Sequence, residues 1–214
     1  MTVSPPERPI LDVLDAPTRA LVALAAAIAA GSATRLEAAC RAAVEAGVPS
    51  LWVDELLLQS VLMVGWPRAL IGADAWRLVS GRPAVSVEDG GDYRRHVEWA
   101  TRGEAVCRVI YEGQYDRLRE NVCALHPALE RWMLVDGYGR TIGRPGLDLA
   151  RRELCVVAQV AVQGAERQLH SHLRGAMRAG ATPAVVDEAL EAAAPCLGER
   201  ERELAVALWE RLRG

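Results

Sequence analysis

The chain has 214 residues, of which 51% are hydrophobic and 5% aromatic, and its formal net charge is −3. Lysine and phenylalanine are both absent, so arginine supplies the positive charge. A charge so close to neutrality gives no electrostatic basis for binding nucleic acid or an anionic membrane, and neither is expected as a partner. The abundance of alanine and leucine, which are strong helix formers, favours an all-α protein.

The N-terminal end gives no sign of export or membrane insertion. Residues 4–9 are rich in proline and are predicted to form a loose arm. No basic region or cleavage pattern of a signal peptide is present, and the longest apolar run, Ala20 to Ala30, is shorter than the roughly 20 residues that a membrane span needs. The five cysteines show no metal-binding spacing. We therefore expect reduced thiols, no metal and a cytoplasmic location.

The first 78 residues are predicted to contain four helices. The first follows the capping residue Asp15 and ends at Gly31, and the second covers about 33–46. The third begins near Val53 and ends at Gly65-Trp66-Pro67, and the fourth follows at once. The apolar stripe on the third helix is expected to be core or subunit interface.

Residues 79–92 are rich in Gly, Pro and Asp and are predicted to be a linker. A helical pattern then resumes, is interrupted by a predicted loop over 137–148, and continues as three more helices. We accordingly divide the chain into an N-terminal unit (1–78), the linker (79–92) and a C-terminal domain (93–214).

The chain contains an internal repeat. A shift that places Gly47 on Gly180 aligns the two ends of the sequence without a gap. The matched pairs include Leu14-Asp15 with Leu147-Asp148, Arg19 with Arg152, Gly31 with Gly164, Arg41 with Arg174, and Trp76 with Trp209. Because helix caps and helix-ending glycines coincide, a duplicated helical unit is a better explanation than shared composition.

The copies differ where side chains are suited to chemistry. The second copy carries Glu153, Gln168 and His172. The first copy has Ala20, Arg35 and Ala39 at the corresponding positions. The first copy is therefore predicted to be degenerate, and the candidate site is assigned to the second.

The second copy resembles the carboxymuconolactone decarboxylase family, which also contains alkylhydroperoxidase D-like peroxidases. The resemblance rests on LD (147–148), RREL (151–154), QLHSHLRGAMRAGAT (168–182) and VVDEAL (185–190), and on VDELLLQSVLMVGWP (53–67) in the first copy. The run GYGRTIGRPGLD resembles the segment that precedes the repeat in gamma-carboxymuconolactone decarboxylases. The resemblance implies a duplicated alkylhydroperoxidase D-like helical bundle that assembles into homo-oligomers, either dimers or trimers.

The resemblance also implies cofactor-free decarboxylation or isomerisation of a small carboxylated lactone, as in aromatic-compound degradation. His172 and Glu153 are the catalytic candidates, because they meet if their two helices pack side by side. An imidazole oriented by a carboxylate is an acid–base unit that works near neutral pH. The structural alternative is a buried hydrogen bond that only joins two helices.

Four further residues are candidates to bind the carboxylic acid substrate. Guanidinium groups bind carboxylates in a bidentate manner, which selects Arg144 and Arg174. Arg152 is a third arginine of this kind. Arg144 ranks first because it has no counterpart in the first copy, whereas Arg152 and Arg174 do, which argues that those two are structural. Gln168, one helical turn before His172, and Tyr138 are expected to line the same site.

Two other functions remain open. A non-catalytic helical scaffold or binding protein is favoured if the space beside His172 is filled with apolar side chains. A thiol peroxidase is disfavoured, because the CxxC of that branch would fall at Ala165 and Gln168. Cys155 lies close to Glu153 in the sequence but has no partner cysteine, and the thiolate is the nucleophile of such chemistry.

Overall fold

The structure is a computed structural model that describes residues 10–213, so the predicted arm at 4–9 lies outside the described residues. Helices account for nearly all of the regular structure in this range, and one parallel bridge joins Leu11 to Ala181. The prediction of an all-α protein is confirmed.

The first copy forms three helices, α1 (Ala16–Ala30), α2 (Ala33–Glu45) and α3 (Ser50–Ser80). Asp15 caps α1 by accepting a hydrogen bond from the Thr18 amide at 2.8 Å, and Gly31 ends it with a left-handed φ of 70°. The predicted third and fourth helices are the two halves of α3, which bends at Gly65, where φ is 75°.

The second copy forms α7 (Leu149–Val162), α8 (Glu166–Arg178), α9 (Pro183–Ala193) and α10 (Glu199–Arg213). Helix α8 has the bounds of α2 shifted by the repeat length, and α9 with α10 covers the range that corresponds to α3. Instead of a bend, the second copy has a full break between α9 and α10. The duplicated helical bundle predicted from the sequence is confirmed.

The two copies pack on each other with reciprocal contacts. Arg19 of the first copy pairs with Glu188 of the second, and Arg152, the counterpart of Arg19, pairs with Glu55, the counterpart of Glu188. In two-fold packing, a residue of one unit contacts a partner in the other unit, and the equivalent residues make the same contact with the units exchanged. The two copies show this pattern within one chain. Helices α1 and α7 lie at the centre of this arrangement, and buried side chains from both copies form one core. The division at 1–78, 79–92 and 93–214 stays a prediction.

An insert between the copies covers one face of the second. It comprises α4 (His96–Tyr111), α5 (Tyr115–Leu125), α6 (Pro127–Trp132) and a π-helix (Met133–Ile142). The π-helix packs along α4, and α4 also contacts α8.

The prediction of a loop over 137–148 is wrong for residues 137–142, which belong to the π-helix. The glycines of this segment allow close helix packing instead of forming turns. A Cβ on Gly139 would lie 2.0 Å from the Trp99 carbonyl oxygen, and one on Gly103 would lie 2.0 Å from that of Leu134. Only glycine permits such an approach of two backbones.

Among the described residues, one helix, α3, is long and apolar enough to cross a membrane by length and composition. Its first half is part of the core and places Glu55 against Arg152. A core helix of a globular protein passes the same test, so α3 is weak evidence for a membrane span.

Candidate active site

The structure brings Glu153 and His172 together. Glu153 lies in the first turns of α7 and His172 in the middle of α8, and a connection of three residues joins these helices. The Glu153 Oε2 atom is 2.8 Å from His172 Nδ1, and the two residues are 0% and 7% exposed. This hydrogen bond fixes the ring and leaves Nε2 as its other nitrogen.

The second carboxylate oxygen of Glu153 is unusual. Oε1 is buried and has no hydrogen-bond partner among the described residues. Burial of an unpaired carboxylate oxygen costs free energy, and such groups are concentrated at functional sites.

Gly175 makes room for the pair. A Cβ on Gly175 would lie 2.4 Å from Glu153 Oε2 and 2.9 Å from Ile110 Cγ2 of α4. In the first copy, where Ala20 replaces the glutamate, the position equivalent to Gly175 is Ala42. The glycine thus occurs in the copy that must accommodate a carboxylate. The change from Ala42 to Gly175 between the copies is the sequence signal of this requirement.

We predict that Gly175→Ala displaces Glu153 and breaks its bond to His172. Overpacking of this kind costs about 1–3 kcal/mol, to be measured by denaturant unfolding, and any turnover should fall with it. The matched control is Gly113→Ala, because a Cβ at Gly113 meets no atom within 4 Å. Equal stability of the two variants would contradict the prediction.

His172 opens onto a cavity of about 650 Å³. Its walls are mostly apolar and come from α3, α6, the π-helix and α7. They include Leu62, Met63, Leu129, Trp132, Met133 and Val156. An apolar cavity with a few convergent polar groups is the usual form of a small-molecule site. The apolar stripe predicted on α3 is divided accordingly, since Leu56 and Leu57 are buried in the core while Leu62 faces this cavity.

Tyr138 lines the same cavity as His172. Its hydroxyl lies 2.8 Å from that of Tyr111, and the two rings meet edge to face at 6.0 Å. Burial raises the pKa of both tyrosines, so their hydroxyls keep their protons at neutral pH. Tyr138 can therefore donate a hydrogen bond but cannot act as a tyrosinate there.

Arg144 lies in a neighbouring cavity of about 320 Å³ and does not line the cavity of His172. Its guanidinium makes a buried ion pair with Glu55 at 3.0 Å and donates to the Ser86 hydroxyl and the Glu88 carbonyl. These contacts use Nε and Nη2, whereas Nη1 makes no hydrogen bond among residues 10–213. The assignment of Arg144 to substrate binding stays a prediction, for a space next to the cavity of His172.

Gln168 and Arg174 share α8 with His172 but are exposed, and neither lines the cavity. Arg174, two residues after His172, lies on another face of the helix, whereas Gln168 lies one turn before His172, close to the exposed N-terminal end of α8. Their assignment to substrate binding stays a prediction to which the geometry adds no support.

Arg140 and Asp136 do line the cavity, although neither was a candidate from the sequence. Both lie on the π-helix, in or next to the segment that was predicted to be a loop. Helical placement would have put Asp136 and Arg140 on one face, where they form an ion pair, so the incorrect loop prediction accounts for the omission.

The buried cysteines are poor nucleophiles. Burial raises the pKa of Cys40 to about 11 and that of Cys107 and Cys155 well above the ordinary value. Cys155, the residue closest in sequence to Glu153, is completely buried. Because the thiolate is the reactive form, these thiols are protonated and inert at neutral pH.

We predict that an aromatic disulfide reagent reacts rapidly in the native protein with Cys123, which is exposed, and that Cys40, Cys107 and Cys155 react only after unfolding. Cys123→Ser should remove the rapid phase. A coupled assay should detect no reduction of organic hydroperoxide. Hydroperoxide reduction that is abolished by Cys155→Ser would contradict this prediction.

The comparisons with known proteins give one family match. The model of the carboxymuconolactone decarboxylase family matches residues 10–77 and 127–211, which is most of the chain and covers both copies. A comparison with curated protein sequences gave no match. Between residues 10 and 213, no group of three or more His, Cys, Asp or Glu side chains is arranged to hold a metal ion.

Proposed function

Because the chain belongs to the carboxymuconolactone decarboxylase family, we propose that it decarboxylates or isomerises a small carboxylated lactone, or a related acid, without a cofactor. The observation that carries the proposal is the buried pair of Glu153 and His172, of which His172 lines an open apolar cavity. A pair that only joined two helices would need no cavity beside it.

The proposed mechanism needs one positioned proton. The bond between the substrate carbon and its carboxylate breaks, carbon dioxide leaves, and the electron pair remains as a dienolate conjugated with the lactone carbonyl. His172, protonated and oriented by Glu153, then donates a proton from Nε2 to the dienolate carbon. The apolar walls exclude water, which strengthens the electrostatic stabilisation of the developing charge.

A second candidate function is a non-catalytic binding protein. The degenerate first copy favours it, because Ala20 and Ala39 show that this chain keeps a helical unit without a Glu–His pair. The open cavity beside His172 favours the enzyme instead. The thiol peroxidase is the weakest candidate, because burial raises the pKa of Cys155 and no CxxC is present.

We further propose that the protein is a cytoplasmic homo-oligomer, either a dimer or a trimer, that acts on a small carboxylic acid. Exposed apolar side chains support the assembly, since Trp66 is 66% and Trp132 62% exposed. Exposed large apolar side chains that cluster commonly mark contact surfaces. Sedimentation equilibrium of the purified chain tests the assembly, and a monomer at all concentrations would contradict it.

The test of the enzymatic proposal is a spectrophotometric screen of carboxylated lactones from aromatic-compound degradation, with carbon dioxide release measured in parallel. In deuterated water the product should carry one deuterium, at the dienolate carbon that is protonated, because the transferable proton of His172 exchanges with the solvent. Binding of such acids without any turnover, over the whole screen, would favour the binding protein.

A further inference from the structure

The cavity beside His172 and the cavity beside Arg144 adjoin each other. Arg140 and Leu62 line both, so the guanidinium of Arg140 lies where the two spaces meet. Among the residues that line the cavity of His172, Arg140 is the one arginine. A ligand that fills this cavity and carries an anionic group meets its complementary charge there.

Arg140 is held in place by its own surroundings. Its Nη1 donates to the Tyr93 hydroxyl at 2.8 Å and to the Gly90 carbonyl at 3.3 Å. The guanidinium also lies over the rings of Tyr93 and Trp99, at 5.1 and 5.7 Å from their centroids. Such contacts fix the direction of a guanidinium before any ligand arrives, which lowers the entropy cost of binding.

The guanidinium nevertheless keeps unused donors. Its Nε is buried and makes an ion pair with Asp136 Oδ1 at 3.1 Å, so this nitrogen is not open to a ligand. Among residues 10–213, Nη2 of Arg140 makes no hydrogen bond, whereas Nη2 of Arg144 is engaged by Glu55, Ser86 and Glu88. Nη2 is therefore the atom of Arg140 that remains to donate a charge-assisted hydrogen bond to a ligand carboxylate.

We propose that Arg140 binds a carboxylate that the substrate keeps throughout the reaction, and that the rest of the substrate is a predominantly apolar ring or chain. An ion pair with a guanidinium stabilises a carboxylate relative to neutral carbon dioxide and so opposes its loss, and the group held by Arg140 is therefore distinct from the one that leaves beside His172. The apolar wall formed by Leu62, Leu129, Trp132 and Met133 receives the remaining body. This inference rests on the proposed function and deepens it by naming the class of substrate.

The test is equilibrium binding of an unreactive acid. Phenylbutyrate carries one carboxylate and one apolar ring, and phenylbutyramide has the same shape without the charge. Titration calorimetry should show that wild type binds phenylbutyrate, and that Arg140→Gln weakens this binding about tenfold to a hundredfold, as expected for loss of a charge-assisted hydrogen bond. The amide should bind both proteins equally weakly, and Arg140→Lys should retain part of the affinity.

The matched control is Arg94→Gln, since Arg94 is adjacent to Tyr93 but its side chain is 90% exposed and pairs with Asp92. It should bind phenylbutyrate as wild type does. Circular dichroism of each variant establishes that it is folded. Unchanged binding in folded Arg140→Gln, or equal affinity for acid and amide in wild type, would overturn the inference.

The same titrations separate this inference from the proposed function. His172→Gln should bind phenylbutyrate normally although it lacks turnover. If His172→Gln retained full turnover while phenylbutyrate binding still depended on Arg140, the acid–base proposal would fail and the assignment of Arg140 would stand.

Discussion

Replacement of His172 by glutamine is expected to lower turnover by about a hundredfold to ten-thousandfold, the usual contribution of a positioned general acid or base. The amide of glutamine can donate to Glu153 Oε2 but cannot transfer a proton. The fold should therefore survive while the chemistry is lost. Alanine is a harsher test, because it would leave both buried oxygens of Glu153 without a partner.

The control for this variant lies on the same helix. His170 is half-buried and does not line the cavity, so His170→Gln should keep wild-type activity and stability. Steady-state kinetics on the substrate found in the screen, together with denaturant unfolding of both variants, provides the measurement. Wild-type turnover in folded His172→Gln would exclude the proposed mechanism.

The parts of the fold that depend on local sequence were predictable. Helix caps such as Asp15 and helix-ending glycines such as Gly31 restrict the backbone by themselves, and the repeat doubled each of these signals. The pairing of Glu153 with His172 was also predictable, because a short connection between two helices leaves few ways to pack them.

The π-helix was not predictable from local sequence. Gly137, Gly139 and Gly143 are typical of a loop when only neighbouring residues are considered. Their actual role depends on α4, which approaches so closely that a side chain at Gly139 would meet the Trp99 backbone. Arg140 was missed for the same reason, since its position in the cavity follows from the helical path of this segment.

The environment of Arg144 depends on packing between the copies. Its partner Glu55 is 89 residues away in the sequence and belongs to the other copy. The repeat contained an indication, because Glu55 and Glu188 are equivalent and so are Arg19 and Arg152. Reciprocal pairing of these residues is what two-fold packing produces, but the sequence alone does not establish that the copies pack in this way.

The same network gives the largest expected effect on stability. Glu55 is 0% exposed and accepts from Arg144 Nε at 3.0 Å and from Arg152 Nη2 at 2.7 Å. Arg152 is fully buried, and burial lowers its pKa although Glu55 opposes that shift. Two buried guanidinium groups thus share one carboxylate, which holds the first copy, the second copy and the insert together.

Glu55→Gln is expected to lower the free energy of unfolding by about 3–5 kcal/mol, because it leaves two buried positive charges uncompensated. The repeat supplies the matched control, Glu188→Gln, which breaks the equivalent pair with Arg19. That pair is 43% and 39% exposed, so its loss should cost no more than about 1 kcal/mol. Denaturant unfolding of both variants measures the difference. Equal losses would show that the buried network contributes no more than an exposed ion pair, and that the apolar core alone holds the copies together.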